Sequence, residues 1–160
     1  MRKLLSLILI LVLAASFSLS AHAVDGLSFA ETCKYKTNQS VTMYETIDDT
    51  GTLYAGRTLS SGTYLKKNGN NAVTEANPGM TYIVCCPDGN MDNRVYGYIS
   101  SDAISSATAS YTLSNGKTVS IPEALMKNKA ALNFYLQMEY GESVSEDIVI
   151  DDNSDDKPEG

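Results

Sequence analysis

The chain has 160 residues with 12 Lys+Arg against 19 Asp+Glu, a formal net charge of −7, one histidine, no tryptophan and ten tyrosines. This balance offers no basic face to nucleic acid and is repelled by anionic lipid. It also leaves little imidazole for chemistry.

The first residues, Met1-Arg2-Lys3, precede an apolar run over residues 4–13 and the small-x-small site Ala21-His22-Ala23. Basic start, apolar centre and small-residue site predict a secretory signal peptide over residues 1–23, cleaved after Ala23. Ser16, Ser18 and Ser20 dilute the run before the ~20 apolar residues that a spanning helix needs. The expectation is therefore no membrane span after cleavage, and a secreted, periplasmic or envelope-associated location. Cleavage removes His22, the single histidine. A chain starting at Val24 then has no Ser-His-Asp or Cys-His nucleophile system and no His-ligated zinc. A non-catalytic protein without cofactor or metal is expected.

Residues 24–40 lack a firm period and read as a lead-in, with Phe29 and Tyr35 available for packing and Cys33 as a tether. Asn38-Gln39-Ser40 matches a glycosylation sequon. From residue 41 the texture changes to short alternating runs separated by turn residues. Val41-Thr42-Met43-Tyr44, residues 53–59, Thr63-Tyr64-Leu65-Lys66 and residues 80–86 read as strands. Residues 94–100 pair back on the last of these across Pro87-Asp88-Gly89. The period of two puts Val41, Met43, Val95, Gly97 and Ile99 inward and Tyr44, Tyr64, Tyr96 and Tyr98 outward. Those four tyrosines are the expected ligand-binding residues, each with apolar area and one polar handle.

Over residues 41–104 the chain resembles the bacterial SH3-like (SH3b) domain. The resemblance lies in Val41-x-Met43-Tyr44, in Ala55-Gly56-Arg57-Thr58-Leu59-x-x-Gly62-Thr63, and in Gly97-Tyr98-Ile99 running into Ser101-Asp102-Ala103-Ile104. It departs at Met80, where the family usually has an aromatic, and in the longer stretch 68–79. The resemblance implies a small β-barrel that binds rather than catalyses. Its implied ligand is peptidoglycan, its peptide stems or an envelope protein. The alternative is a structural or adaptor protein using barrel and helix for protein–protein contact.

Cys33, Cys85 and Cys86 are an odd count for an oxidising compartment. One bridge from Cys33 to either Cys85 or Cys86 is expected, closing a loop of about 50 residues and stabilising by roughly 3–4 kcal/mol. Asp88-Gly89-Asn90-Met91-Asp92 spaces oxygens like a calcium loop but has Ile99 where the bidentate Glu belongs, so a polar hairpin loop is expected. Ser114-Asn115-Gly116-Lys117 spaces Ser and Lys like a β-lactamase nucleophile. Asn-Gly between apolar runs instead predicts a hairpin turn.

Ser120-Ile121-Pro122-Glu123 predicts a capping box opening an amphipathic helix through residue 140, stopped by Gly141 and packed on the barrel. Residues 142–160 hold eight acids and Lys157, an acidic tail expected to be disordered; Val149 and Ile150 are its candidates for an extra edge strand. Glu123 and Glu139 are the carboxylates that acid–base chemistry would need, and nothing in their spacing brings them together. The expected fold is mainly β with one C-terminal helix (α+β): a small SH3-like barrel at 41–104, then a hairpin and helix at 105–141.

Overall fold

The computed structural model describes residues 26–46, 51–148 and 150. The expected signal peptide, Asp48 and Asp49 of the first turn, Val149 and the acidic run from Asp151 lie outside the described residues. The fold is mainly β with one long C-terminal helix. Strands β1 (Tyr35–Thr37), β2 (Val41–Thr46), β3 (Leu53–Leu59), β4 (Tyr64–Lys67), β5 (Met80–Cys85), β6 (Val95–Ser100) and β7 (Ile104–Ser106) form one sheet. Its order is β3-β2-β6-β5-β4-β1-β7, and every ladder is antiparallel.

This sheet is not the closed barrel that the sequence suggests. No described strand bonds to the outer edge of β3 or of β7. A bulge between Met43 and Tyr44 and a single β2–β6 rung, Tyr44↔Tyr98, loosen the β3 side. The sheet nevertheless curves, because Leu59 of β3, Met43, Leu65, Ile83 and Ile99 are buried in one cluster that Ile104 of β7 also packs against. The inward face predicted for Met43, Gly97 and Ile99 is the observed one. At Gly97 the strands approach so closely that a Cβ would lie 2.7 Å from both Met43 Cγ and the Tyr44 carbonyl oxygen.

Part of the expected lead-in is a sheet strand. β1 lies between β4 and β7, and Thr37 at its end is 1% exposed. Its hydroxyl donates to the Ser60 carbonyl at 2.7 Å and accepts from the Thr63 amide at 2.9 Å. Replacing Thr37 by valine keeps the shape and strands both partners, so a loss of about 1–3 kcal/mol is expected. Urea unfolding reads it; an unchanged midpoint would mean that water satisfies the turn.

Strands β8 (Thr108–Thr112) and β9 (Thr118–Pro122) form the predicted second hairpin. The turn closes through Gly116 N–H to the Leu113 carbonyl and Leu113 N–H to the Lys117 carbonyl, both 2.9 Å. Gly116 takes φ +82°, which favours glycine. The helix does not begin where the capping box predicts. Ser120 lies on β9 opposite Ser110, and Ile121 and Pro122 continue the ladder to Ala109 and Thr108. Burying Ile121 completely outweighs a solvent-exposed cap. A 3-10 turn, Glu123–Lys127, follows. The helix is Lys129–Tyr140, capped by Asn128 accepting from the Ala131 amide at 3.1 Å. Gly141 ends it in the left-handed region, φ +68°.

This helix builds a core of its own. Leu125, Leu132 and Leu136 bury with Tyr111 and Ile121 of the hairpin, and Leu27, Val144, Ile148 and Ile150 pack around them. The start of the expected acidic tail is thus docked, with Val144 N–H bonded to Asn133 Oδ1 at 3.0 Å. Glu123 links the hairpin–helix region to the sheet: its carboxylate takes Lys36 Nζ at 2.6 Å and the Tyr64 hydroxyl at 3.1 Å. The Lys36 bond, more than any other influence, holds the Glu123 carboxyl below the usual range, against the opposing effect of burial. Because the folded value is depressed, the stabilisation is present above the ordinary glutamate pKa and is lost as pH falls through the lowered one. Glu123→Gln should cost no more than about 1 kcal/mol at neutral pH for so exposed a pair. It should also flatten the acid limb of a pH–stability profile. An unchanged limb would remove Glu123 as its cause.

Candidate functional site

The outer face of the sheet divides into a tyrosine strip and a covered half. Tyr98 of β6 pairs with Tyr44 of β2 and Tyr82 of β5, so one rung carries three tyrosines. The Tyr82 and Tyr98 rings stack at 4.8 Å, and Tyr82 lies 6.3 Å from Tyr96. Tyr96 is 47% exposed and Tyr98 only 6%. What covers Tyr98 is not the C-terminal helix. The stretch 68–79 folds into a short helix, α1 (Ala72–Ala76), whose N-cap Asn71 donates from Nδ2 to the Tyr98 hydroxyl at 2.9 Å. The long C-terminal helix, α2 (Lys129–Tyr140), buries its leucines in the second core instead.

The four predicted tyrosines therefore have different positions. Tyr96 is open, Tyr44 is half-buried at the strip's edge, and Tyr98 is a packed base. Tyr64 is apart from them on β4, bonded to Glu123, with its hydroxyl pKa raised by burial and then by that hydrogen bond. Tyr82 is the member that sequence reasoning missed. The signal for it was present, since an inward Ile83 and Cys85 put Tyr82 outward by the period of two.

The other half of the face is covered by the lead-in. Phe29 and Cys33 bury against Val84 and Cys86, with Tyr64 beside them. A cleft of ≈ 430 Å³ remains between this cover and the turn before β4, reached by Phe29, Gly62, Tyr64, Cys86 and Pro87. The expected bridge is not present: Cys33, Cys85 and Cys86 are free, buried and not at bonding distance. Cys85 faces the inner core with Met43, whereas Cys33 lies on the outer side, so the sheet separates them. Burial pushes the Cys33 thiol up to about 12 and the Cys85 thiol up to about 11. Such thiols are almost wholly protonated at neutral pH and react slowly. A disulfide reagent should therefore label Cys33 and Cys85 of the folded, reduced protein far more slowly than in denaturant. Equal rates would contradict this burial.

The oxygens of the Asp88 loop are turned on the loop itself. Asp88 accepts from Asn93 Nδ2 at 2.6 Å and the Asn90 amide at 2.9 Å, and these bonds, Asn93 first, hold its carboxyl below the usual range. No group of three His, Cys, Asp or Glu side chains suited to a metal occurs among the described residues. Ser114 donates its hydroxyl to Glu142, on a hairpin turn rather than a helix start. Glu123 is engaged by Lys36 and Tyr64, and Glu139 is an exposed residue near the end of α2. No helix among the described residues is long and apolar enough to cross a membrane. Comparisons with protein-family models, curated proteins and solved structures found no match.

Proposed function

We propose that this chain is an exported, non-catalytic SH3b-like binding module at the cell envelope, and that Tyr82 and Tyr96 contact peptidoglycan or its peptide stems. The observation that carries this is the stacked strip itself: Tyr96 is open to solvent beside Tyr82, which rests on a buried Tyr98. Aromatic rings held by a sheet present a large contact area with little rotamer freedom left to lose. The SH3b-like reading is supported by the 3-10 turn Ser101–Ala103 directly after β6. It is also supported by Gly62, at φ +82°, after β3. Export rests on residues 1–23 of the sequence.

Sedimentation with insoluble cell wall tests the reading. The wild type should co-sediment, and Tyr96→Ala should weaken retention roughly tenfold, the scale of an interface hot spot. A wild type that stays in the supernatant would sink the proposal. The adaptor reading would then lead, favoured by the exposed outer edge of β3, which is open to strand addition.

A further inference from the structure

The open end of the tyrosine strip carries an exposed arginine. Arg94 precedes β6 in extended backbone, φ −63° and ψ 133°, two residues before Tyr96 and so about 7 Å from it along the chain. Positions two apart in extended chain share a face, which puts Arg94 on the outer side with Tyr96. The Cys86 thiol reports the same placement. It belongs to the outer-side cluster with Val84; burial raises its pKa, and the Arg94 charge works against that rise. Lys66 adds positive charge on this side. It shares a rung with Val84, which in turn pairs with Tyr96, and its charge is also felt at Cys86. Asp88, the acid of the adjoining loop, is engaged by Asn93 Nδ2 and the Asn90 amide. Among the described residues Arg94 has no ion-pair partner; the pair found there is Lys36–Glu123. Its Nε donates to the Met91 carbonyl at 3.0 Å, which seats the guanidinium against the loop while the residue stays exposed.

Resting on the reading of Tyr82 and Tyr96 as contact residues, we propose that Arg94 sets the specificity of that surface and that its ligand is a peptide bearing a free carboxylate. A planar guanidinium meets a carboxylate with two parallel, charge-assisted bonds. The ring beside it covers apolar surface of the same ligand. A peptide whose carboxylate lies about two residues' length, ~7 Å, from an apolar group engages both at once. An uncharged glycan would use the rings and leave Arg94 unanswered. Of the two parts of a wall polymer, the peptide stem is therefore the one recognised. The chain's net charge of −7 sharpens the choice, because an acidic peptide is repelled by the molecule as a whole and attracted only where cations stand.

The test is titration of the full, isotopically labelled chain with two probes at matched ionic strength. One is soluble peptidoglycan fragments with their peptide carboxylates free; the other is the same fragments with those carboxylates converted to amides. The wild type should bind the free form at least about tenfold more tightly than the amidated form. Arg94→Gln, at an exposed position, should keep its melting temperature and lose that preference, binding both forms as the wild type binds the amidated one. Arg94→Lys should restore part of the preference, and Tyr96→Ala should weaken both forms. Equal affinity of the wild type for the two forms would overturn the proposal, and so would an Arg94→Gln variant that loses both forms alike. If binding in those cases still depends on Tyr96, the tyrosine strip stands and only the role of Arg94 falls. A wild type that binds neither form removes both readings.

Discussion

Gly97→Ala should be among the most damaging single-methyl additions in this chain, lowering stability by about 3 kcal/mol, at the upper end of overpacking costs. The new Cβ would meet Met43 Cγ and the Tyr44 carbonyl oxygen at 2.7 Å each. The Met43 side chain can yield, but the carbonyl belongs to the β2 ladder and cannot move without breaking it. Met43→Ala in the same chain should therefore fail to restore stability. Gly62→Ala is the contrast: φ is +82° but nothing lies within 4 Å of its Cβ, so only backbone strain of about 1 kcal/mol is added. Urea unfolding of the variants separates the two effects. Equal losses would mean that the β2–β6 approach is looser than the structure shows.

Leu132→Ala has the other large expected effect, a loss of about 2–5 kcal/mol from a fully enclosed site. Leu132 is 0% exposed and lies in the hairpin–helix core with Leu125, Leu136 and Ile121. That core shares no residue with the cluster inside the seven-stranded sheet. Amide exchange should therefore accelerate first in β8, β9 and α2, while β5 and β6 keep more of their protection. Uniform acceleration through both regions would show that the junction at Glu123 makes them a single cooperative unit.

These two cores also explain what the sequence could reveal. The hairpin at Asn115-Gly116 was legible because its turn chemistry is local, and so were the inward positions of Met43 and Ile99, set by alternation. The helix start was not. Ser120 and Glu123 satisfy a capping box by themselves, and only the distant Tyr111 and Leu132 show that Ile121 must be a strand residue. β1 was hidden because it has three residues, two bonded neighbours and little apolar alternation. The stretch 68–79 stands out in the sequence only for its length, yet Asn71 and Thr74 cap each other reciprocally and place α1 above Tyr98. As for the site, the outward tyrosines were readable, but which one is free depends on two covers. The lead-in takes the Tyr64 side and α1 takes Tyr98, leaving Tyr96 and its neighbour Tyr82.

Titrating the labelled protein with soluble peptidoglycan fragments tests the tyrosine strip most directly. Saturable shifts concentrated at Tyr82, Tyr96 and their β5–β6 neighbours, and abolished by Tyr96→Ala with the fold intact, are the predicted result. Shifts confined to α2 or to the outer edge of β3, or no shifts at all, would contradict it.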